Sequence, residues 1–213
     1  MKGRAAVRRA ARTIDRVLPA REGLVVLIYH RVGGGSASGV DLDVAAFRDQ
    51  MQILTDEHTV VPLGSAVHAL AAGEHPSGVV ITFDDGASDF CEQAVPIMAR
   101  LGLPSTLYLA TAAPDAGRLP WGVPAASWAA LRDAQENGLV DVQSHTHDHR
   151  LLHTATQAEV DHQLDRSIAL IETHLGYTPQ HFAYPKAVPG NAAARTAVAA
   201  RFRSAALAEG AGT

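Results

Sequence analysis

The hydrophobic positions of the chain fall into short continuous apolar runs that alternate with segments of helical spacing. Short continuous apolar runs are typical of parallel strands that are buried on both faces. They predict strands over residues 24–29, 59–63, 78–83, 105–111, 139–143, 181–184 and 202–207. Apolar residues three or four positions apart predict helices over residues 44–55, 65–72, 87–101, 127–137, 157–175 and 192–200. Strands that alternate with helices predict an α/β fold with a parallel sheet, close to a complete barrel.

The chain divides into a short basic leader and one domain. Residues 1–21 hold seven Lys and Arg residues against one Asp, and they lack the apolar stretch of a secretory signal peptide. They predict a leader helix that either packs on the domain or lies at anionic lipid heads. Residues 22–213 contain no repeat and no linker, so we expect a single domain. The lack of a signal peptide predicts a cytoplasmic protein, with peripheral contact to the inner face of the membrane through the leader.

Composition excludes several classes of protein. The single cysteine excludes an internal disulfide framework and a cysteine-based zinc finger. The net charge of −4 argues against a nucleic-acid binder. No apolar run reaches the roughly 18 residues that a membrane-spanning helix needs. The 11 histidines are unusual, and because histidine is the commonest metal ligand, their placement is informative.

Polar side chains directly follow four of the predicted strands. The strand over 78–83 continues into Asp84 and Asp85, and the strand over 139–143 continues into a segment with His145 and His149. The strands over 24–29 and 181–184 end at His30-Arg31 and Pro185-Lys186. Chemistry in an α/β barrel lies at the carboxyl ends of the strands, so we expect these residues to converge on one rim.

The residue types at two of these strand ends point to a divalent metal. Adjacent carboxylates after a buried strand are costly unless a positive charge lies beside them, and we expect one to bind the metal and the other to act as a base. In a helical turn, the four-residue spacing of His145 and His149 would place both rings on one face, as in paired zinc-ligating histidines. Two histidines and one carboxylate leave positions open for water and substrate, which indicates a catalytic site. Alternatively, Asp84 or Asp85 only caps the helix near Ala87, and the histidines form a solvent-facing loop.

The motifs resemble those of the polysaccharide deacetylase family, also described as carbohydrate esterase family 4 or the NodB homology domain. Thr82-Phe83-Asp84-Asp85-Gly86 resembles the first motif, and His145-Thr146-x-x-His149 resembles the second. Phe182-Ala183-Tyr184-Pro185 resembles the third motif in the form of the FAYP-type subgroup. The segment over 27–32 and Trp128 also fit, so that the resemblance covers residues 24–208.

The resemblance implies a deformed (β/α)7 barrel and a metal-dependent hydrolase that removes acetyl groups from N-acetylated sugars of a polysaccharide or its precursor. By position it implies that Asp85, His145 and His149 hold a divalent metal, usually Zn²⁺. It implies that Asp84 is the general base and that Thr146 braces the histidine loop.

The third motif implies a substrate-binding wall. A backbone N–H near Pro185 and Lys186 is expected to stabilise the oxyanion, and Tyr184 to contact the acetylated saccharide. Two positions depart from the family pattern: Ala183 stands where many members have an Arg, and Lys186-Ala187 replaces an aromatic residue and a glycine.

A third departure concerns the general acid, because the family's late Leu-x-His motif has no match in the chain. Either the chain lacks C-terminal elements of the barrel, or another group protonates the leaving amine. His30 is the candidate for that group; the alternative is a buried histidine with a satisfied hydrogen bond.

The motifs do not specify the sugar. The lack of a secretion signal favours an intracellular lipid- or nucleotide-linked sugar as the substrate. Aromatic rings that either stack on sugar rings or pack in the core are those of Trp121, Tyr108 and Tyr184. Two other functions remain open: a catalytically weakened metal- and sugar-binding domain, and an amidohydrolase that acts on a non-sugar amide.

Overall fold

Eight strands organise the protein in a computed structural model that describes residues 23–207. In chain order they are β1 (Leu24–Tyr29), β2 (Arg31–Val32), β3 (Asp41–Leu42), β4 (Gly78–Asp85), β5 (Ser105–Leu109), β6 (Val140–Ser144), β7 (His181–Ala183) and β8 (Ser204–Ala206). One six-stranded sheet has the order β1-β4-β5-β6-β7-β8, and β2 pairs with β3. Every neighbouring pair of the large sheet is parallel, so the carboxyl ends of its strands lie at one edge.

Helices connect the strands of the large sheet. They are α1 (Val44–Glu57), α2 (Leu63–Ala71), α3 (Val95–Leu101), α4 (Ala113–Ala116), α5 (Trp128–Gln135), α6 (Gln157–Leu175) and α7 (Ala192–Arg201). A π-helical turn, Phe90–Ala94, precedes α3, and a 3-10 turn, Pro185–Ala187, follows β7. The longest helix, α6, begins with a capping box in which the Thr156 and Glu159 side chains bond to each other's backbone N–H groups.

The predicted α/β architecture with a parallel sheet is confirmed, but the strand predicted over residues 59–63 is wrong. Only Val60 makes a parallel bridge, to Val79 of β4. Pro62, which has no N–H to donate to a ladder, immediately precedes α2 and ends the extended segment.

The strand that carries the two carboxylates packs within a cluster of aromatic rings. Phe83 of β4 is fully buried, and its ring centroid lies 4.8–5.9 Å from those of Tyr29, Phe47 and Phe90. Such contacts make the strand costly to displace, since removing a buried Phe side chain destabilises a protein by about 3–5 kcal/mol. The carboxyl end of β4 is therefore a rigid platform.

Two expectations concern parts of the chain beyond this description. The predicted leader helix over residues 1–21 lies outside the described residues, and the division at residue 22 stays a prediction. Within residues 23–207, no helix combines the length and the apolar character needed to span a bilayer.

Candidate metal centre

Three buried side chains converge at the carboxyl edge of the large sheet. One ligand atom from each of Asp85, His145 and His149 lies within 4.8 Å of the others. Nε2 of His149 lies 3.2 Å from Oδ1 of Asp85, and Nε2 of His145 lies 3.6 Å from the same oxygen. The three side chains are only 1–9% exposed. They are the residues that the resemblance assigned to the metal.

The register of the sheet explains why residues sixty positions apart meet. Asp85 pairs with Leu109, and Leu109 pairs with Ser144, the residue before His145. Asp85 and Ser144 are therefore separated only by the intervening strand β5, and neighbouring strands are about 4.8 Å apart. Side chains that leave the ends of β4 and β6 can therefore meet above the end of β5.

The backbone at the centre adopts conformations that are costly for residues with a Cβ. Asp85, Thr146 and His149 have φ values of 76°, 67° and 62°. Left-handed conformations cost about 1–2 kcal/mol each for such residues, and they concentrate at functional sites. At Asp85 this conformation ends the regular alternation of β4. Two of these three strained residues, Asp85 and His149, are thus candidate metal ligands.

Gly86 permits the tight turn after Asp85. Its φ is 95°, and a Cβ at this position would collide with the side chain of Leu109. Glycine is the residue that adopts this conformation without a steric penalty. The turn can therefore begin directly after Asp85.

The orientation of His145 is set by a backbone carbonyl. Nδ1 of His145 lies 2.8 Å from the carbonyl oxygen of Ala183, and since a carbonyl only accepts, Nδ1 carries a proton. Burial lowers the pKa of His145 to about 4, so the ring is neutral at pH 7. Its Nε2 then presents a lone pair towards Asp85, as a metal ligand requires.

The donor set fits a divalent cation. Oδ1 of Asp85 is buried and has no hydrogen-bond partner, although two imidazole nitrogens face it. Burial favours a raised pKa for Asp85, but the imidazoles of His149 and His145 outweigh this effect and hold its pKa below the usual range. One carboxylate oxygen and two imidazole nitrogens that converge in this way form a donor set that suits Zn²⁺.

Asp84 lies beside the cluster in a different environment. Burial, and then the charge of Asp85, raise the pKa of Asp84 to about 7. Oδ2 of Asp84 lies 3.9 Å from Nε2 of His30, whose side chain is one-third exposed. The structure thus brings both residues predicted to move protons to the same edge as the cluster.

The predicted substrate-binding residues differ in their accessibility. Lys186 is exposed, but Tyr184 and Pro185 are buried. The ring of Tyr184 packs edge-on against Phe182 in the core, and Tyr108 is also buried, so neither ring offers a stacking face here. Trp121 is 48% exposed, and its ring centroid lies 5.0 Å from that of His149.

Thr146 contacts the neighbouring segment through its backbone: its carbonyl oxygen accepts a hydrogen bond from the N–H of Thr111 at 3.3 Å. Its buried hydroxyl has no hydrogen-bond partner among the described residues. The side chain of Gln163 on α6 also holds this loop, by accepting hydrogen bonds from two of its backbone N–H groups. Nothing in the local sequence marks Gln163, because its contact with the loop is tertiary.

Comparisons with known proteins agree with this geometry. A family model described as polysaccharide deacetylase matches residues 72–204, which include all three motifs. IcaB from Ammonifex degensii is 26% identical, with a TM-score of 0.76 over 85% of this chain and 81% of that chain. No curated protein sequence matches the chain.

Two further solved structures share the fold. The deacetylase PplD from Streptococcus pyogenes, solved in complex with acetate, is 21% identical, with a TM-score of 0.74 over 84% of this chain and 81% of that chain. The BpsB deacetylase domain from Bordetella bronchiseptica is 20% identical, with a TM-score of 0.71 over 90% and 92%. The large sheet is a curled half-barrel, and the prediction of a deformed (β/α)7 barrel is confirmed. The FAYP-type subgroup stays a prediction. The chain belongs to the polysaccharide deacetylase family.

Proposed function

We propose that the protein is a metal-dependent hydrolase that removes acetyl groups from N-acetylated sugars of a polysaccharide or its precursor. Membership of the family supports deacetylation of sugars. The observation that carries the metal dependence is the buried convergence of Asp85, His145 and His149 beside the carboxyl of Asp84. The reaction converts an acetamide and water into acetate and an amine.

Asp85, His145 and His149 would hold the cation, and zinc suits two imidazoles and one carboxylate. Such a cation would polarise the acetyl carbonyl and lower the pKa of the attacking water.

The remaining steps use residues of this chain. Asp84 takes a proton as the water oxygen attacks the acetyl carbon, and the backbone N–H of Lys186 is the candidate donor to the developing oxyanion. The C–N bond then breaks, and the leaving nitrogen takes up a proton. We propose His30 as the donor of this proton, and the support is that its Nε2 lies 3.9 Å from the Asp84 carboxylate that received the first proton.

Metal analysis combined with acetate release tests the proposal. We expect about one metal ion per chain in the wild type, with activity that chelation abolishes and zinc restores. Asp85→Ala should lose both metal and activity, whereas Asp49→Ala, a change at an exposed carboxylate, should keep both. Asp84→Asn should keep the metal but lower kcat by about 10²–10⁴-fold.

The identity of the substrate and the role of His30 as general acid are tested by two further comparisons in the same acetate-release assay. N-acetylglucosamine oligomers, lipid-linked N-acetylated sugars and a simple non-sugar amide should be compared, and we expect acetate release only from the sugars. If His30→Ala kept full kcat on a good substrate, the acid role of His30 would be wrong. Metal binding and sugar affinity without any acetate release would contradict the proposed activity and favour a sugar-binding domain.

A further inference from the structure

The turn over residues 145–149 depends on partners from two sides. The carbonyl oxygens of Thr146 and His147 accept hydrogen bonds from the backbone N–H groups of Thr111 and Ala112, at 3.3 and 2.7 Å. These contacts come from the segment that follows β5 and hold carbonyl groups of the turn, and the hydroxyl of Thr111 also lies 3.1 Å from Nδ1 of His147. The N–H groups of His147 and Asp148 point the other way, where no backbone carbonyl receives them.

One side chain receives both of these N–H groups. Oε1 of Gln163 accepts from the N–H of His147 at 3.0 Å and from that of Asp148 at 3.1 Å. Gln163 is only 3% exposed. A carbonyl oxygen has two lone pairs, so this contact uses the full accepting capacity of the Gln163 side chain.

The same face of α6 also holds the end of β6. Ser167 lies four residues after Gln163, and therefore one helical turn further along the same face. The hydroxyl of Ser167 lies 2.7 Å from that of Ser144, the last residue of β6, and both side chains are fully buried. Helix α6 thus contacts the segment before the metal turn through Ser167 and the turn itself through Gln163.

The turn needs such support because of its backbone. Thr146 and His149 both adopt left-handed conformations, with φ values of 67° and 62°. Residues in such conformations persist only where the surrounding structure over-determines them. His147 and Asp148, whose N–H groups Gln163 receives, lie between these two strained residues.

We infer that Gln163 is a positioning residue for the metal centre: its side-chain oxygen holds the turn in the conformation that directs His149 towards Asp85. This inference rests on the proposed function, because it concerns the same metal site. Gln163 would touch neither the metal nor the substrate, and it would act through the backbone of the turn. Loss of the Gln163 side chain should therefore lower metal affinity, although all three ligand side chains remain present.

Zinc titration of the metal-free protein tests the inference with three variants. Gln163→Met keeps the length of the side chain and removes the acceptor, so we expect zinc affinity to fall about 10–100-fold. Gln163→Glu keeps an acceptor at the same place, and its affinity should lie within about threefold of the wild type. Gln157→Met, a matched change at an exposed position of α6, should have no effect. The absorption spectrum of the cobalt-loaded protein should change in Gln163→Met alone, which reports the geometry of the site independently of activity.

Equal zinc affinity of Gln163→Met and the wild type would overturn the inference, and so would an equal loss in Gln163→Met and Gln163→Glu. Hydrogen exchange of the wild-type protein without metal gives a check that needs no variant. The amide protons of His147 and Asp148 should be protected as strongly as those inside α6, and exchange at unprotected rates would contradict the inference. A wild type that binds no zinc, yet protects both amides, would overturn the proposed metal dependence and leave the contact of Gln163 with the turn intact.

Discussion

Asp84 and Asp85 are neighbours in the chain, yet their environments shift their acidities in opposite directions. Burial and the charge of Asp85 raise the pKa of Asp84 to about 7, whereas the surrounding imidazoles hold the pKa of Asp85 low despite burial. Pairs of carboxyl groups whose pKa values diverge in this way are typical of sites with one charged and one proton-transferring group. The two environments match the division into a ligand and a base.

The raised pKa of Asp84 predicts a specific pH dependence of stability in the metal-free protein. The folded chain keeps the Asp84 proton up to about pH 7, whereas the unfolded chain releases it near the ordinary pKa of 3.8. The Asp84 contribution to the free energy of unfolding therefore falls as the pH rises from about 4 to 7. Asp84→Asn should gain stability relative to the wild type across this window by a few kcal/mol, since one pKa unit is worth about 1.4 kcal/mol.

Urea unfolding at several pH values in the presence of a chelator measures this difference. Asp49→Asn, the same change at an exposed carboxyl of α1, serves as the control for the loss of one acidic side chain. Saturating zinc should remove the gain of Asp84→Asn, because a cation favours the ionised carboxylate. If the difference in free energy of unfolding between Asp84→Asn and the wild type did not change with pH in chelator, the electrostatic account would be contradicted.

Ala187 occupies a position where the backbone favours glycine. Its φ is 54°, and it follows Lys186, whose φ is 55°. Because Ala is strained in the left-handed region, Ala187→Gly should stabilise the folded state by up to about 1 kcal/mol. The same change at Ala169, on the exposed side of α6, should destabilise it by about 1 kcal/mol. Thermal unfolding measures both changes, and equal signs would contradict the assignment of strain to Ala187.

At the scale of elements, the sequence predicted those features that depend on local pattern. The apolar runs of β4, β5 and β6 are visible because both faces of these strands are largely buried, and the motif residues are visible because they follow strand ends. The run of β1 is equally apolar, but β1 is an edge strand, and its Val25, Val26 and Ile28 are 44–53% exposed. The segment over 59–63 shares this apolar character but makes only one bridge, since Pro62 ends it. Strand prediction from local pattern cannot detect that the pairing of this segment is limited to one bridge with β4.

Contacts between distant elements explain what the sequence could not reveal. The support of His145 comes from a backbone carbonyl, and that of the turn from Gln163 on α6, so neither has a local signature. The sequence left open whether Tyr184 stacks on a sugar ring or packs in the core, because aromatic side chains do both. Its burial against Phe182 is decided by the packing of α7 and β7, which only the structure shows.

In the turn after β4, the single methyl group added by Gly86→Ala should lower the stability of the protein by an unusually large amount. Gly86→Ala adds both a left-handed strain and a collision with Leu109, whereas Gly102→Ala adds only the strain, since nothing lies within 4 Å of a Cβ there. We expect Gly102→Ala to cost about 1–2 kcal/mol and Gly86→Ala at least about 1 kcal/mol more. Urea unfolding of both variants measures the difference, and equal costs would show that the turn after Asp85 can shift freely.

At the scale of the whole molecule, the candidate site draws on four strands of one sheet. His30 follows β1, Asp84 and Asp85 end β4, the histidines follow β6, and Lys186 follows β7. The site is therefore assembled only when the sheet is complete. A bound metal should consequently stabilise the global fold, because the unfolded chain cannot present these ligands together.

The positive charge of residues 1–21 predicts a contact with an anionic lipid surface. We expect that the domain does not need this contact for catalysis. Residues 1–21 carry seven cationic side chains, each of which is worth about 1 kcal/mol near an anionic lipid surface. Deletion of residues 1–20 should abolish binding to liposomes that contain anionic lipid and leave acetate release from soluble substrates unchanged. Sedimentation with liposomes of anionic and of neutral lipid measures this, and equal binding by the truncated protein would remove the membrane hypothesis.

The central claim is that Asp85, His145 and His149 jointly bind one divalent cation. Anomalous diffraction from crystals grown with zinc, recorded on both sides of the zinc absorption edge, tests it most directly. We predict one strong anomalous peak at about 2.0–2.2 Å from a carboxylate oxygen of Asp85 and from Nε2 of both histidines. A zinc-dependent, active protein whose anomalous peak lies away from these three residues would contradict the account.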